Sequence, residues 1–263
     1  MPAILRPVPL VDLLAGRPAE IELDEAALEI ARLEYPDLDA ARYIRLLDDY
    51  AFEIATRADD LSDGPSFLQA ANAVLFEDMG FKGDSADYYN PDNAYLNRVL
   101  ETRKGMPIVL SLIYMEIARR LAKPVYGIGL PGHFLIQYND GAYSVYIDPF
   151  NQALARVESA NPADLVPADK RSIAMRLLNN LRYIYFERQD SERAIRVLNL
   201  LLEADPGAAD EYKQRAVAHL QLQQFRQAAE DFKRYLELNP KAADRDRVEE
   251  HLRNLTFWQA SKN

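Results

Sequence analysis

HFLIQYNDGAYSVYID, residues 133–148, decides how the middle of this chain folds. Apolar and polar side chains alternate through HFLIQY and again through YSVYID, the period of a half-buried strand. Between the runs stands Asn139-Asp140-Gly141-Ala142. Asp140-Gly141 favours a two-residue type I′ turn, whose central residues both need a positive φ. With those two in the turn, partner numbers across the strands sum to 281, and His133 lies directly opposite Asp148. Their Cβ atoms would then be about 5 Å apart. Phe134, Ile136, Tyr138, Tyr143, Val145 and Ile147 share the face expected to be core. His133, Leu135, Gln137, Ser144, Tyr146 and Asp148 share the other, largely polar face.

Upstream, Pro107 to Leu121 is apolar on nearly every side (Ile108, Val109, Leu110, Leu112, Ile113, Met115, Ile117), which predicts a buried helix. Pro107 suits its first turn, where a missing N–H costs no intrahelical bond. GFKGDSADYYNPDNAYLNRVLETRKG, residues 80–105, has loop composition followed by a short helix that Asp92 or Asn93 would cap. From residue 21 to about 78, helical spacing recurs through Leu23, Ala27, Ile30 and Leu33, with Asp24 as candidate cap, and again through Tyr43, Leu46, Leu47, Tyr50 and Ile54.

Downstream of a connecting stretch at 159–170, the sequence repeats with a period of 34. Leu178, Tyr185, Ala194, Leu198 and Pro206 recur as Tyr212, His219, Ala228, Phe232 and Pro240. This spacing resembles tetratricopeptide (TPR) repeats, in which a small residue lets two helices of a hairpin approach and a proline follows the second. Arg182, where that pattern prefers a small residue, departs from it. Repeats are expected at about 175–208 and 209–242, with a capping helix at 243–259 that uses Leu252, Leu255 and Trp258.

Composition sets firm limits. The chain has 263 residues, enough for two domains, and no cysteine, so disulfides, thiolate metal sites and thiol nucleophiles are all excluded. Its net charge is −10; residues 170–263 carry 17 basic and 14 acidic side chains, leaving 14 and 27 for residues 1–169. A surface so acidic repels phosphate backbones, and nucleic acid is not an expected partner. Pro7, Pro9 and Asp12 interrupt the apolar N-terminus, and no stretch reaches the length of a membrane span, so a cytoplasmic protein is expected. No cluster of histidines and carboxylates has metal-ligand spacing, and neither a metal nor a cofactor is called for.

GMPIVLSLIYMEIARRLAKPVYGIGLPGHFLIQY together with YIDPFN resembles the transglutaminase-like core, in which a cysteine opens a buried helix, a histidine begins one strand and an aspartate ends the next. The whole chain is similar to the SirB family, which joins such a core to C-terminal TPR repeats; YNPDNAYLN, GLPGHF and YIDPFN carry the likeness most specifically. The resemblance implies an α+β fold: a helical N-terminal part and a transglutaminase/papain-like core with a small antiparallel sheet within residues 1–165 (core about 71–158), then an all-α repeat array at 170–263. It places His133 and Asp148 at the histidine and aspartate positions and Pro107, give or take one residue, at that of the nucleophile. Neither Met106, Pro107 nor Ile108 can attack a carbonyl.

Two readings follow. The protein is a non-catalytic module whose TPR groove, lined by Asn179, Arg182, Arg215 and His219, takes a protein or peptide. Alternatively it is a hydrolase or amide-bond enzyme in which His133 and Asp148 activate water. Tyr95 and Asn97 either border the cleft or serve the loop and helix structurally. Ser111, one turn into the buried helix, either faces the site or bonds a backbone carbonyl.

Overall fold

The computed structural model describes residues 10–17, 20–155, 157 and 165–260, the side chains of 256–260 excepted. Parts of the N-terminal and connecting stretches read above, and the Trp258 side chain, lie outside the described residues. The fold is α+β, with two compact units that divide within one helix, between Leu177 and Leu178.

A short α1 (Leu10–Leu14) comes first among the described residues and belongs, from Val11 on, to the second unit. The first unit holds helices α2 (Leu23–Ala31), α3 (Ala40–Arg57), α4 (Gly64–Asn72), α5 (Leu96–Thr102) and α6 (Pro107–Arg120). Its strands are the paired two-residue β1 (Lys82–Gly83) and β2 (Lys104–Gly105), and the antiparallel sheet β3 (Val125–Leu130), β4 (His133–Asn139), β5 (Ser144–Asp148) and β6 (Ala153–Leu154), in that order. As its composition predicts, α6 is buried from Pro107 to Ala118. Tight packing joins it to the sheet. A Cβ on Gly127 would stand 2.7 Å from the Phe134 ring and 3.1 Å from Met115 Sδ, so only glycine fits there. Phe67 meets both Tyr114 of α6 and Tyr138 of β4, at 6.4 and 6.0 Å between ring centres.

Asp24 does not cap α2. The helix begins at Leu23, after Glu22, whose N–H is taken by the Glu25 carboxylate at 3.1 Å. Asp24 is buried and paired with Arg120 at 2.6 Å; Arg120 also reaches Asp48 and Glu116 and so ties α2, α3 and α6 together. Nor do Asp92 or Asn93 cap α5. Asn90 caps a single 3-10 turn, Pro91–Ala94, by accepting the Asp92 N–H at 3.1 Å. Asp92 instead accepts from Tyr35 and Arg98, and the Asn93 amide donates to the Asp87 carbonyl.

The β4–β5 register differs from the expected one by two residues. Ile136 pairs with Ile147 and Asn139 with Ser144, leaving a four-residue turn, Asp140 to Tyr143. The Asp140 carboxylate sets this wider turn by accepting the N–H groups of Ala142 and Tyr143 at 2.9 and 2.7 Å, while Asn139 accepts that of Gly141, whose φ is +89°. A shift of two preserves the strand period, so every side chain keeps its expected face. Phe134, Ile136, Tyr138 and Ile147 are buried as expected, but Tyr143 is exposed in the turn, and Leu135 and Asp148 are buried on the face expected to be polar.

The second unit is built from the end of α7 (Lys170–Glu187) with α8 (Ser191–Ala204), α9 (Ala209–Gln221), α10 (Phe225–Leu238) and α11 (Arg245–Ala260). The repeat extends to the backbone. Gln189 and Gln223 are both left-handed, at φ 55° and 57°, and each is followed by an N–H bonded to a first-helix carbonyl, Asp190 to Tyr185 and Gln224 to His219, both at 2.8 Å. Ala194 and Ala228 are fully buried where the helices cross. Val248, Leu252 and Leu255 of α11 pack on Phe232 and Tyr235, closing the array as a cap. None of the helices among the described residues is long and apolar enough to cross a membrane.

Candidate functional site

His133 opens β4 and Asp148 closes β5, and the two meet: Nε2 stands 2.8 Å from Asp148 Oδ2. In the observed register Asp148 extends the pairing to a place opposite Leu135, so His133 reaches it as a diagonal neighbour. Asp148 is held from three further directions. The N–H groups of Phe150 and Asn151 donate to Oδ1 at 3.0 and 3.1 Å, and the Asn151 amide donates to Oδ2 at 2.7 Å. Burial alone would raise the Asp148 pKa, but the bonds from His133 and Asn151 outweigh it and hold the carboxyl below the usual range. With Nε2 committed to Asp148, Nδ1 is the ring nitrogen left to face anything else, and it has no partner among the described residues.

A chain of backbone contacts leads from this pair to the start of α6. The Gly83 N–H donates to the Phe150 carbonyl at 3.1 Å; Gly83 pairs with Gly105; and Gly105 precedes Met106 and Pro107, the N-cap and first residue of α6. Gly83 cannot be larger, because a Cβ there would lie 2.5 Å from the Phe150 ring. Phe150 in turn presents its ring edge-on to His133, 6.5 Å between centres. Pro107 is itself buried.

Arg176, in α7, holds the turn from which β4 starts. Its Nη2 donates to the carbonyls of Leu130 and His133 at 2.6 and 2.7 Å, and its guanidinium lies over the Phe134 ring at 5.5 Å. Phe150, Asn151, Gly83 and Arg176 went unmarked in the sequence. Asn151 and Phe150 stand within three residues of Asp148 in the YIDPFN motif, so a search for turn donors to the aspartate would have found them. Arg176 is 43 positions from His133, and no local pattern links them.

The other expected residues are dispersed. Tyr95, the N-cap residue of α5, and Asn97, in its first turn, are buried, and Asn97 also lines an open hollow of about 400 Å³ shared with Tyr35, Tyr43 and Arg98. Ser111 is fully buried, and its hydroxyl has no partner among the described residues, where a carbonyl bond was one of the two expectations. In the second unit Arg182 pairs with Glu211 at 3.2 Å, Arg215 makes a two-pronged bond to Asp231, and His219 Nδ1 meets Gln224 at 2.6 Å. Asn179 is partly exposed. No group of three potential metal ligands occurs among the described residues.

The sequence signature of the transglutaminase-like superfamily matches residues 41–179, and that of a tetratricopeptide repeat matches residues 181–253. A UPF0162 protein of Xylella fastidiosa is 36% identical over 254 residues, covering 90% of each chain. The chain belongs to the UPF0162 family of transglutaminase-like proteins. A UPF0162 protein of Vibrio cholerae is 26% identical over 84% of this chain and 87% of its own length. Human F-box only protein 21 is 43% identical over 84 residues, which is 32% of this chain and 13% of that protein. No solved structure matches. Within this UPF0162 chain the signatures meet in α7, and each covers one of the two compact units in large part.

Proposed function

We propose that this is a SirB-type, non-catalytic transglutaminase-like protein of the cytoplasm whose TPR unit carries a protein or peptide partner. One observation carries the reading: the buried helix that would open on the nucleophile opens on Pro107, in a chain with no cysteine, while His133 and Asp148 remain bonded at 2.8 Å. A thiol-dependent mechanism needs a thiolate at that helix terminus. The partly buried His–Asp pair then serves the shape of the site rather than a proton relay. Recurrence of an 84-residue related segment within 13% of F-box only protein 21 fits a part used as a module.

In the TPR unit, contacts by Arg182, Arg215 and His219 would have to exchange their internal partners. The groove reading therefore centres on Asn179 and on Tyr183 and Val217, which stand 34 positions apart on the two first helices and are 52% and 39% exposed. The full chain, immobilised, should retain a defined protein from native lysate, and Tyr183→Ala with Val217→Ala should release it while His133→Ala does not. Equal capture by both groove variants and wild type, or an amidase activity abolished by His133→Ala, would replace this reading with the hydrolase one.

A further inference from the structure

The rim of the His133 site closes on itself. The His133 carbonyl accepts from Arg176 at 2.7 Å, and the Arg176 guanidinium is within electrostatic reach of the Tyr88 hydroxyl. The Tyr88 ring meets that of Phe150 edge to face at 6.0 Å, and Phe150 meets His133 in the same manner at 6.5 Å. Four residues from four segments thus stand around the site, Arg176 against the His133 backbone and Phe150 in ring contact with both His133 and Tyr88, and three of their side chains bear polar groups. His133 Nδ1, the Tyr88 hydroxyl and Nε and Nη1 of Arg176 all lack a partner among the described residues.

Arg176 differs in its partners from several arginines of the same unit. Arg98, Arg119 and Arg120 each pair with at least two carboxylates. Arg176, half-buried in a chain with 41 acidic side chains, has no carboxylate within ion-pair distance among the described residues. Two neutral carbonyls and the Phe134 ring hold it, in a space that exists because residue 129 is glycine; a Cβ there would stand 2.9 Å from Nη1. Burial lowers its pKa, which means that the cation is held at a cost no neighbouring anion offsets.

We propose that this ring is a subsite for a peptide carboxylate, which Arg176 and the Tyr88 hydroxyl bind beside the exposed edge of His133. A guanidinium is suited to planar carboxylate recognition, and the surrounding Phe134 and Phe150 rings limit competition from water. The proposal rests on the reading of the cleft as non-catalytic and gives it a ligand.

The chain has three histidines, so its imidazole Cε1–H signals can be assigned with His219→Gln and His251→Gln. N-acetylglycine should shift the His133 signal to saturation and leave the other two in place; neutral N-acetylglycinamide should shift none. Arg176→Gln should weaken the response at least tenfold and Tyr88→Phe severalfold. Tyr88→Phe removes only a hydroxyl, so an unchanged affinity in that variant overturns the proposal even if Arg176→Gln fails to fold. So would an unmoved His133 signal, an equal response to the amide, or inorganic phosphate binding more tightly than N-acetylglycine. Conversion of N-acetylglycinamide to N-acetylglycine and ammonia in the same tube would refute the non-catalytic reading while leaving the binding result intact.

Discussion

His133 Nε2 and Asp148 Oδ2 lie 2.8 Å apart although their residues are not opposite one another across the strands. The bond spans the ladder diagonally, and Asp148 is prepared for it by two backbone N–H groups and the Asn151 amide. In acid this arrangement must fail in a definite order. The folded-state pKa of Asp148 is depressed, so its contribution to stability is present above the unfolded value, about 3.9, and is lost as pH falls through the lower folded value. Urea unfolding of wild type and Asp148→Asn should differ by roughly 1–3 kcal/mol at neutral pH, and the difference should shrink below about pH 4. A constant gap between pH 7 and 3 would show that Asp148 is not the ionised anchor.

Gly83 sets the position of Phe150. Its replacement by alanine drives a Cβ to within 2.5 Å of that ring, so ring or strand must move, at about 1–3 kcal/mol. Because Phe150 contacts His133, the His133 imidazole signals should shift in Gly83→Ala while those of His219 do not. A shift confined to His219, or none, would separate β1 from the site.

Ser111 carries a fully buried hydroxyl with no partner among the described residues, between the apolar Leu110 and Leu112 of α6. Ser111→Ala removes that group, so stability should hold or rise by up to about 1–2 kcal/mol in thermal or urea unfolding. A clear loss of stability would mean that the hydroxyl has a partner after all.

The fold was legible wherever periodicity is local. The apolar run of α6, the alternation in β4 and β5, and the 34-residue spacing each translate directly into elements, and the faces of the hairpin survived a wrong register because a shift of two preserves alternation. What failed were choices made by side chains. Asp140 and Asn139 widened the turn, a 3-10 turn capped by Asn90 took up Asp92 and Asn93 ahead of α5, and Arg120 drew Asp24 into the core. Within the site, His133 and Asp148 could be paired from spacing and resemblance. Arg176 could not, because only the folded chain brings α7 to the start of β4.

On the proposed reading, residues 106–108 stand where the terminus of α6 and the His133 imidazole would favour a thiolate. A cysteine placed at residue 107 would be the sole thiol in the chain, so its alkylation by iodoacetamide can be followed against pH without interference. At the first turn of α6, with the His133 imidazole placed beside it on the proposed reading, its apparent pKa should fall at least one unit below the ordinary value of about 8.5, and His133→Ala should return it toward that value. Met106→Cys and Ile108→Cys give the same measurement one position to either side. An ordinary pKa at all three positions, unaffected by His133→Ala, would contradict the account.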